Sequence, residues 1–300
     1  PPIALTPVKV SSHLTSDLIS QLNRYLHTLI TTCLRVRSLC SILRCNGRHP
    51  ICFYNWCKPR TWSGICEAVL SSPLVNTQVV IAACRTPDKA NALQDLKKND
   101  SRLHIVQLDV CQFDSYDPVV NEVRAIVGDK GLTLLINNAG ILHRVRNLEE
   151  VTADLMLSVL KTNTVAPLLL TKAFLPLLKT SAKVNAAKVN NALSVTRAAV
   201  ISINSGLGSI EDNGMGGYYG YRESKVALNM SAQSLSIELG PDGILVESIW
   251  PGWVQTDMGG SNAAIDATTS VNGMIKIMLD MKEKNKTGFI GWQGKFSSEN

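Results

Sequence analysis

Three hundred residues, 45% hydrophobic and 18% charged, describe a globular chain of one large or two small domains and exclude a disordered or fibrous one. The net charge of +6 lies almost wholly in residues 1–66, which hold eight basic groups and one acid. The rest holds 22 basic and 23 acidic groups, so the body is near neutral and the pI of 8.9 is no argument for nucleic acid.

No apolar run is read as reaching the roughly 18–20 residues of a bilayer span, so no membrane partner is expected. Five of the eight cysteines fall in the first 57 residues, without a C-x-x-C pair or Cys/His ligand spacing. This argues against a metal site and for reduced thiols in a cytoplasmic chain.

Residues 1–50 read as an atypical basic extension. Leu18, Leu22, Tyr25, Leu26 and Leu29 are spaced to stripe one helix face. The segment is rich in Ser, Thr, Arg and Leu, a composition shared by mitochondrial transit peptides and by translated non-coding sequence.

Residues 51–300 read as one domain. Residues 51–54 are the available first strand and 64–70 a helix. Residues 78–84 form a β-rich run, followed by the turn Arg85-Thr-Pro-Asp88 and a helix through Leu96. A strand at 103–108 stops at Asp109, a helix covers 116–127, and the strand 132–136 runs into Asn137-Asn-Ala-Gly140. Residues 149–178 form a long helical region and 180–195 an exposed loop or helix extension. A strand at 198–203, a helix at 221–239 and a strand at 244–249 follow. Strands alternating with helical segments imply right-handed crossovers and an α/β fold, a Rossmann-like doubly wound parallel sheet.

The chemistry begins at Tyr221-Arg-Glu-Ser-Lys225, where residues four apart share one helix face. An ammonium beside a phenol favours the phenolate, so the tyrosine is expected to exchange a proton near neutral pH despite an ordinary pKa of about 10. The small and amide residues after strand 132–136 suit a sheet edge that a flat ligand approaches closely. Together these strings point to hydride chemistry on a nicotinamide cofactor.

Asn137-Asn-Ala-Gly140, Ser205, Tyr221-x-x-x-Lys225 and Pro251-Gly252…Thr256, in that order and spacing over about residues 64–296, resemble the short-chain dehydrogenase/reductase family. Within it, 205–213 and 221–225 are similar to the carbonyl-reductase branch that includes the sniffer and C-factor proteins. The resemblance implies Tyr221 as general acid and Lys225 as the group that lowers its pKa and binds the nicotinamide ribose. Ser205 would be the donor to the substrate oxygen, and Asn163 the residue that holds a water linking the lysine to solvent.

It also places Asp109 on the adenine and Asn137, Ala139 and Gly140 along the adenine ribose and the cofactor's central region. Pro251, Gly252 and Thr256 would close over the carboxamide and phosphates. Arg85 stands where an acid would receive a ribose 2′-hydroxyl, and a guanidinium there suits a 2′-phosphate, favouring NADP over NAD.

One part departs from the family. Its glycine loop, T-G-x-x-x-G-x-G, lets backbone approach the pyrophosphate, yet Phe53-Tyr-Asn-Trp-Cys-Lys-Pro-Arg-Thr-Trp-Ser63 holds no glycine. The tryptophan codon TGG, shifted one base, begins GG and encodes glycine, as do CGG and AGG for arginine. Trp56, Arg60 and Trp62 would then become three glycines with the family's spacing. Translation out of frame up to about Ser63 accounts for this and for the unusual N-terminal composition.

The expected activity is NADP-dependent hydride transfer between nicotinamide and a small carbonyl or alcohol. The alternative is a catalytically impaired member acting as a binding protein. The resemblance further implies pairing into a homodimer through the helices after Val165 and Tyr221. It draws the substrate pocket from 142–146, 207–217 and a mobile loop over 253–272.

Overall fold

The computed structural model describes residues 51–55, 63–71, 77–281 and 289–297. The extension 1–50 and the glycine-poor stretch 56–62 lie outside the described residues. Strand β1 (Ile51–Asn55) leads to helix α1 (Ser63–Ser71), then β2 (Val79–Cys84), α2 (Asn91–Asn99), β3 (Leu103–Gln107), α3 (Tyr116–Val127) and β4 (Leu134–Asn137). Beyond β4 come α4 (Ala153–Leu160), α5 (Ala166–Asn185), β5 (Ala199–Ile203), α6 (Tyr221–Leu239), β6 (Leu245–Trp250), α7 (Ala267–Asp280), β7 (Phe289–Gly291) and β8 (Phe296–Ser297).

All eight strands join one sheet in the order β3-β2-β1-β4-β5-β6-β7-β8, with the first seven parallel and β8 antiparallel to β7. Helices cover both faces, so the inner strands read as largely apolar runs instead of alternating, with Asn137, Ser202, Glu247 and Ser248 as buried polar exceptions. On one face Ile81, Val106, Leu135 and Val200 pack against Val123 of α3 and Leu170, Phe174 and Leu178 of α5. On the other, Val80, Ile136, Ile201 and Ile249 meet Val69 of α1, Leu93 of α2 and Met274 and Met278 of α7. The strand order reverses at β1, which pairs with β2 through Tyr54↔Ala82 and with β4 through Tyr54↔Ile136. A doubly wound sheet opens its ligand crevice beyond the strand ends at such a point.

Three elements differ from the sequence reading. The region 149–178 divides into α4 and α5 around a wide π-helical turn, Lys161–Val165, while α5 runs on to Asn185 as the helix extension, one of the two readings of 180–195. It continues because its last turns are anchored: Thr133 and Ser181 hydroxyls lie 2.9 Å apart, and Asn185 Nδ2 donates to Arg197 O at 3.1 Å. The loop assigned to 253–272 stops sooner, since Asp266 caps α7 by accepting from Thr269 N at 2.8 Å. Helix α7 and the short β7–β8 pair carry no motif in the sequence.

Contrary to the expectation from sequence, Ala153–Val189 contains a stretch with the length and composition of a membrane span, its mean hydropathy 1.2 and a third of it buried. One face of it belongs to the core. It lays Leu170, Phe174, Leu177 and Leu178 on the sheet and buries Thr162, Asn163 and Thr171 among hydrogen-bond partners.

Candidate active site

The site forms where β4 and β5 end, against the start of α6 and the wide turn before α5. Strand β5 stops at Ile203, and Ser205 Oγ accepts from Leu207 N at 3.2 Å, turning the chain through Gly206–Gly208. A side-chain carbon at Gly208 would lie 2.8 Å from Lys225 Cβ, so glycine there lets the turn press onto α6. Helix α6 starts at Tyr221, whose N–H donates to Tyr218 O at 3.1 Å, and its first turn carries Tyr221, Ser224 and Lys225 inward.

Tyr221 and Lys225 are 6% and 5% exposed. Lys225 Nζ donates to Ile203 O at 2.8 Å and sits 5.6 Å from the centroid of the Tyr221 ring, a cation–π approach. Burial pushes the phenol up to about 12, against a lowering hydrogen bond with Ser205, and brings the lysine down to about 8. This corrects the sequence expectation. Desolvation is the largest influence on the phenol, which keeps its proton across the physiological range.

Asn163 is placed by the wide turn, a local widening found often at functional sites. Its Oδ1 accepts from Ile141 N at 2.8 Å, and its Nδ2 donates to Ile141 O at 2.9 Å and Ser224 Oγ at 3.0 Å. Those bonds commit the amide to protein partners. Asn163 therefore ties the segment after β4 to α6. Gly140 lies beside it: a side-chain carbon there would meet Asn163 Oδ1 at 3.4 Å and Lys225 Nζ at 3.9 Å.

The remaining sequence-derived residues ring this centre or lie further along the strand ends. Asn137 is 2% exposed and turns its amide onto α5, donating to Thr171 Oγ1 at 3.2 Å, while Ala139 is buried just beyond it. Pro251 O accepts from Ser270 Oγ at 2.6 Å, Gly252 rests against Trp292 and Ile265, and Thr256 Oγ1 accepts from Gly259 N at 3.0 Å. Asp109 ends the β3 segment, with Oδ1 accepting from Cys111 N at 2.9 Å. Arg85 is exposed just past β2, and its carbonyl accepts from Gln107 Nε2 at 3.1 Å.

Sequence reasoning missed three contributors. Ser224 is fully buried and donates to Tyr221 O at 2.7 Å while accepting from Asn163. Arg222, 8% exposed, donates to the carbonyls of Leu207, Gly216 and Gly217 and so fixes the loop before α6. The Tyr221 hydroxyl reaches Met258 Sδ at 4.0 Å. Ser224 and Arg222 stand inside the Tyr-Lys string itself, whereas nothing in the sequence pairs residue 258 with residue 221.

A parallel sheet of this order, with a buried phenol and ammonium and the half-buried Ser205 gathered beyond the ends of β4 and β5, is the arrangement of a Rossmann-like oxidoreductase. The model of the short chain dehydrogenase family matches residues 63–266, and the chain belongs to that family. It is similar to the carbonyl reductase Sniffer of D. melanogaster, at 38% identity and a TM-score of 0.78 over 83% of this chain and 99% of that one. An NADPH-bound carbonyl reductase from chicken fatty liver is 34% identical, with a TM-score of 0.76 over 84% of this chain and 99% of that one. The C-signal protein of Myxococcus xanthus is 37% identical over 54% of this chain and 89% of its own length.

Proposed function

We propose that this chain is an NADP-dependent carbonyl reductase in which Tyr221 protonates the substrate oxygen. The observation that carries the reading is the buried pair at the start of α6, a neutral phenol with the Lys225 ammonium 5.6 Å from its ring. When bound, NADPH supplies the hydride. Tyr221 donates its proton to the oxygen of the carbonyl being reduced, and in the reverse direction takes it back. Ser205, whose hydroxyl hydrogen-bonds the phenol, donates to the same oxygen as charge develops on it. Lys225 keeps positive potential beside the phenol and, held by Ile203 O, stands ready for a ribose hydroxyl.

Among the described residues, those at the ends of β2, β3 and β4 fit the dinucleotide, whereas the glycine-poor stretch that departs from the family's loop lies outside them. Glycine at 140 leaves free the space beside the Asn163 amide and the Lys225 ammonium that a side-chain carbon would fill in ordinary contact. Arg85, exposed at the β2 end, would grip a 2′-phosphate, and Asp109 would receive the adenine amino group. The NADPH-bound relative supports the same cofactor. A small carbonyl compound is the substrate, and Asn163 is a positioning residue. The test is NADPH consumption with a panel of aldehydes, ketones and dicarbonyls. Turnover with NADPH well above that with NADH is expected, and no consumption with any member contradicts the reading.

A further inference from the structure

The residue between Ile203 and Ser205 carries a buried amide that meets neither crevice nor solvent. Asn204 and Asn229, the latter on α6, are each 3% exposed. Asn204 is fixed to the sheet from the neighbouring strand, its N–H donating to Ile249 O at 2.8 Å.

Both polar atoms of the Asn204 side chain are spent on the site's framework. Oδ1 accepts from Ser205 N at 2.8 Å, while Nδ2 donates to Lys225 O at 3.3 Å and to Asn229 Oδ1. Lys225 is thus held at both ends by consecutive residues, its ammonium on Ile203 O and its carbonyl on Asn204. The turn after Ser205 closes over this amide. A side-chain carbon at Gly208 would lie 3.3 Å from Asn204 Oδ1 and 2.8 Å from Lys225 Cβ.

Only a side chain with an acceptor and two N–H donors makes all three bonds at once. Asn229 Oδ1 takes one of those donors and so selects which way the amide faces. With the amide reversed, NH2 would confront the Ser205 N–H, and both donors would be left unmatched in a dry setting.

We propose that Asn204 is a positioning residue: one amide sets the backbone of Ser205 against that of Lys225, and Asn229 holds that amide in the orientation both bonds require. The proposal rests on Ser205 and Lys225 acting with Tyr221 on the substrate oxygen, as argued above.

The first test follows steady-state kinetics of the full chain with NADPH and a ketone that the wild type reduces. Asn204→Ala is expected to lower kcat by about ten-fold or more, the scale of a slight misplacement of reacting groups, with KM for NADPH within about two-fold. Asn204→Ser keeps an acceptor for the Ser205 N–H and should recover part of that loss. Asn229→Ala should lower kcat by less than Asn204→Ala. Added to Asn204→Ala it should cost nothing further, because it acts through the same amide. Additive losses, an unchanged kcat, or a rise in KM for NADPH that matches the fall in kcat overturns the proposal. Should Asn204→Ala fail to fold, Asn204→Ser and Asn229→Ala, alone and combined, make the same comparison.

A second readout needs no turnover. Among the described residues Lys225 joins no ion pair, and burial alone brings it to about 8, with Tyr221 the titratable group beside it. The 13Cε resonance of labelled lysine at 225, assigned by its loss in Lys225→Met, reports its titration without cofactor. Space vacated in Asn204→Ala admits water beside Lys225, so the titration should move upward by about half a pH unit or more. An unmoved titration in the folded variant overturns the placement of Asn204. Wild-type protein that reduces no carbonyl while the titration moves sinks the enzymatic reading and not the network.

Discussion

The two ends of the proposed cofactor crevice are built on opposite physical terms. Around β5 and α6, Tyr221, Lys225, Ser224 and Asn163 are all buried, and the hydrogen bonds among them, Ile141 and Ile203 fix their geometry. Around the ends of β2 and β3, Arg85 is exposed and Asp109 only half-buried. The difference teaches where precision is needed. Proton transfer gains from donors preorganised in a dry, low-dielectric setting, whereas recognition of a 2′-phosphate needs only a charge within reach. Changes at the first end should therefore alter rate steeply, and changes at the second should alter cofactor choice.

Replacing Ser205 by Ala removes one donor to the developing charge and should lower kcat by roughly 10²–10³, read in the same NADPH assay. At the other end, Arg85→Ala should raise KM for NADPH by about 10–100-fold and leave NADH nearly unchanged, the worth of a charge-assisted contact. If both variants affected rate alone, the division of labour between the two ends would be wrong.

The protonation states sharpen the same contrast. Burial lowers Lys225 to about 8 and raises Tyr221 to about 12. The ammonium is thus half lost at about pH 8 and disappears as pH rises further, while the phenol keeps its proton. Reduction should decline above about pH 8 on the lysine's account, and a profile flat to pH 10 would contradict it. The smallest effect belongs to the framework. Asn163→Ala orphans the N–H and C=O of Ile141 and should cost about 1–3 kcal/mol of stability by denaturant titration.

Much of the fold was legible because parallel strands covered on both faces are written as apolar runs, as at 79–84 and 199–203. The helix read at 221–239 has the observed bounds, and Tyr221 with Lys225 followed from the spacing of four. What the residues could not disclose was the desolvation of the phenol, since burial is a property of the assembled helices. Asn163 is singled out only by the family resemblance, and its amide's partners, Ile141 and Ser224, lie 22 and 61 residues away. Met258 stayed hidden for the same reason, 37 residues from the hydroxyl it touches. The Trp56–Trp62 stretch falls outside the described residues, and resequencing the transcript over codons 50–66 decides its reading frame.

The central claim is that one buried hydroxyl delivers the proton. Single-turnover NADPH consumption by Tyr221→Phe, set beside cofactor binding followed through tryptophan fluorescence quenching, addresses it most directly. Binding within a few-fold of wild type, with reduction slowed by about 10²–10⁴, is the predicted result. A phenylalanine variant that consumes NADPH at the wild-type rate would contradict it.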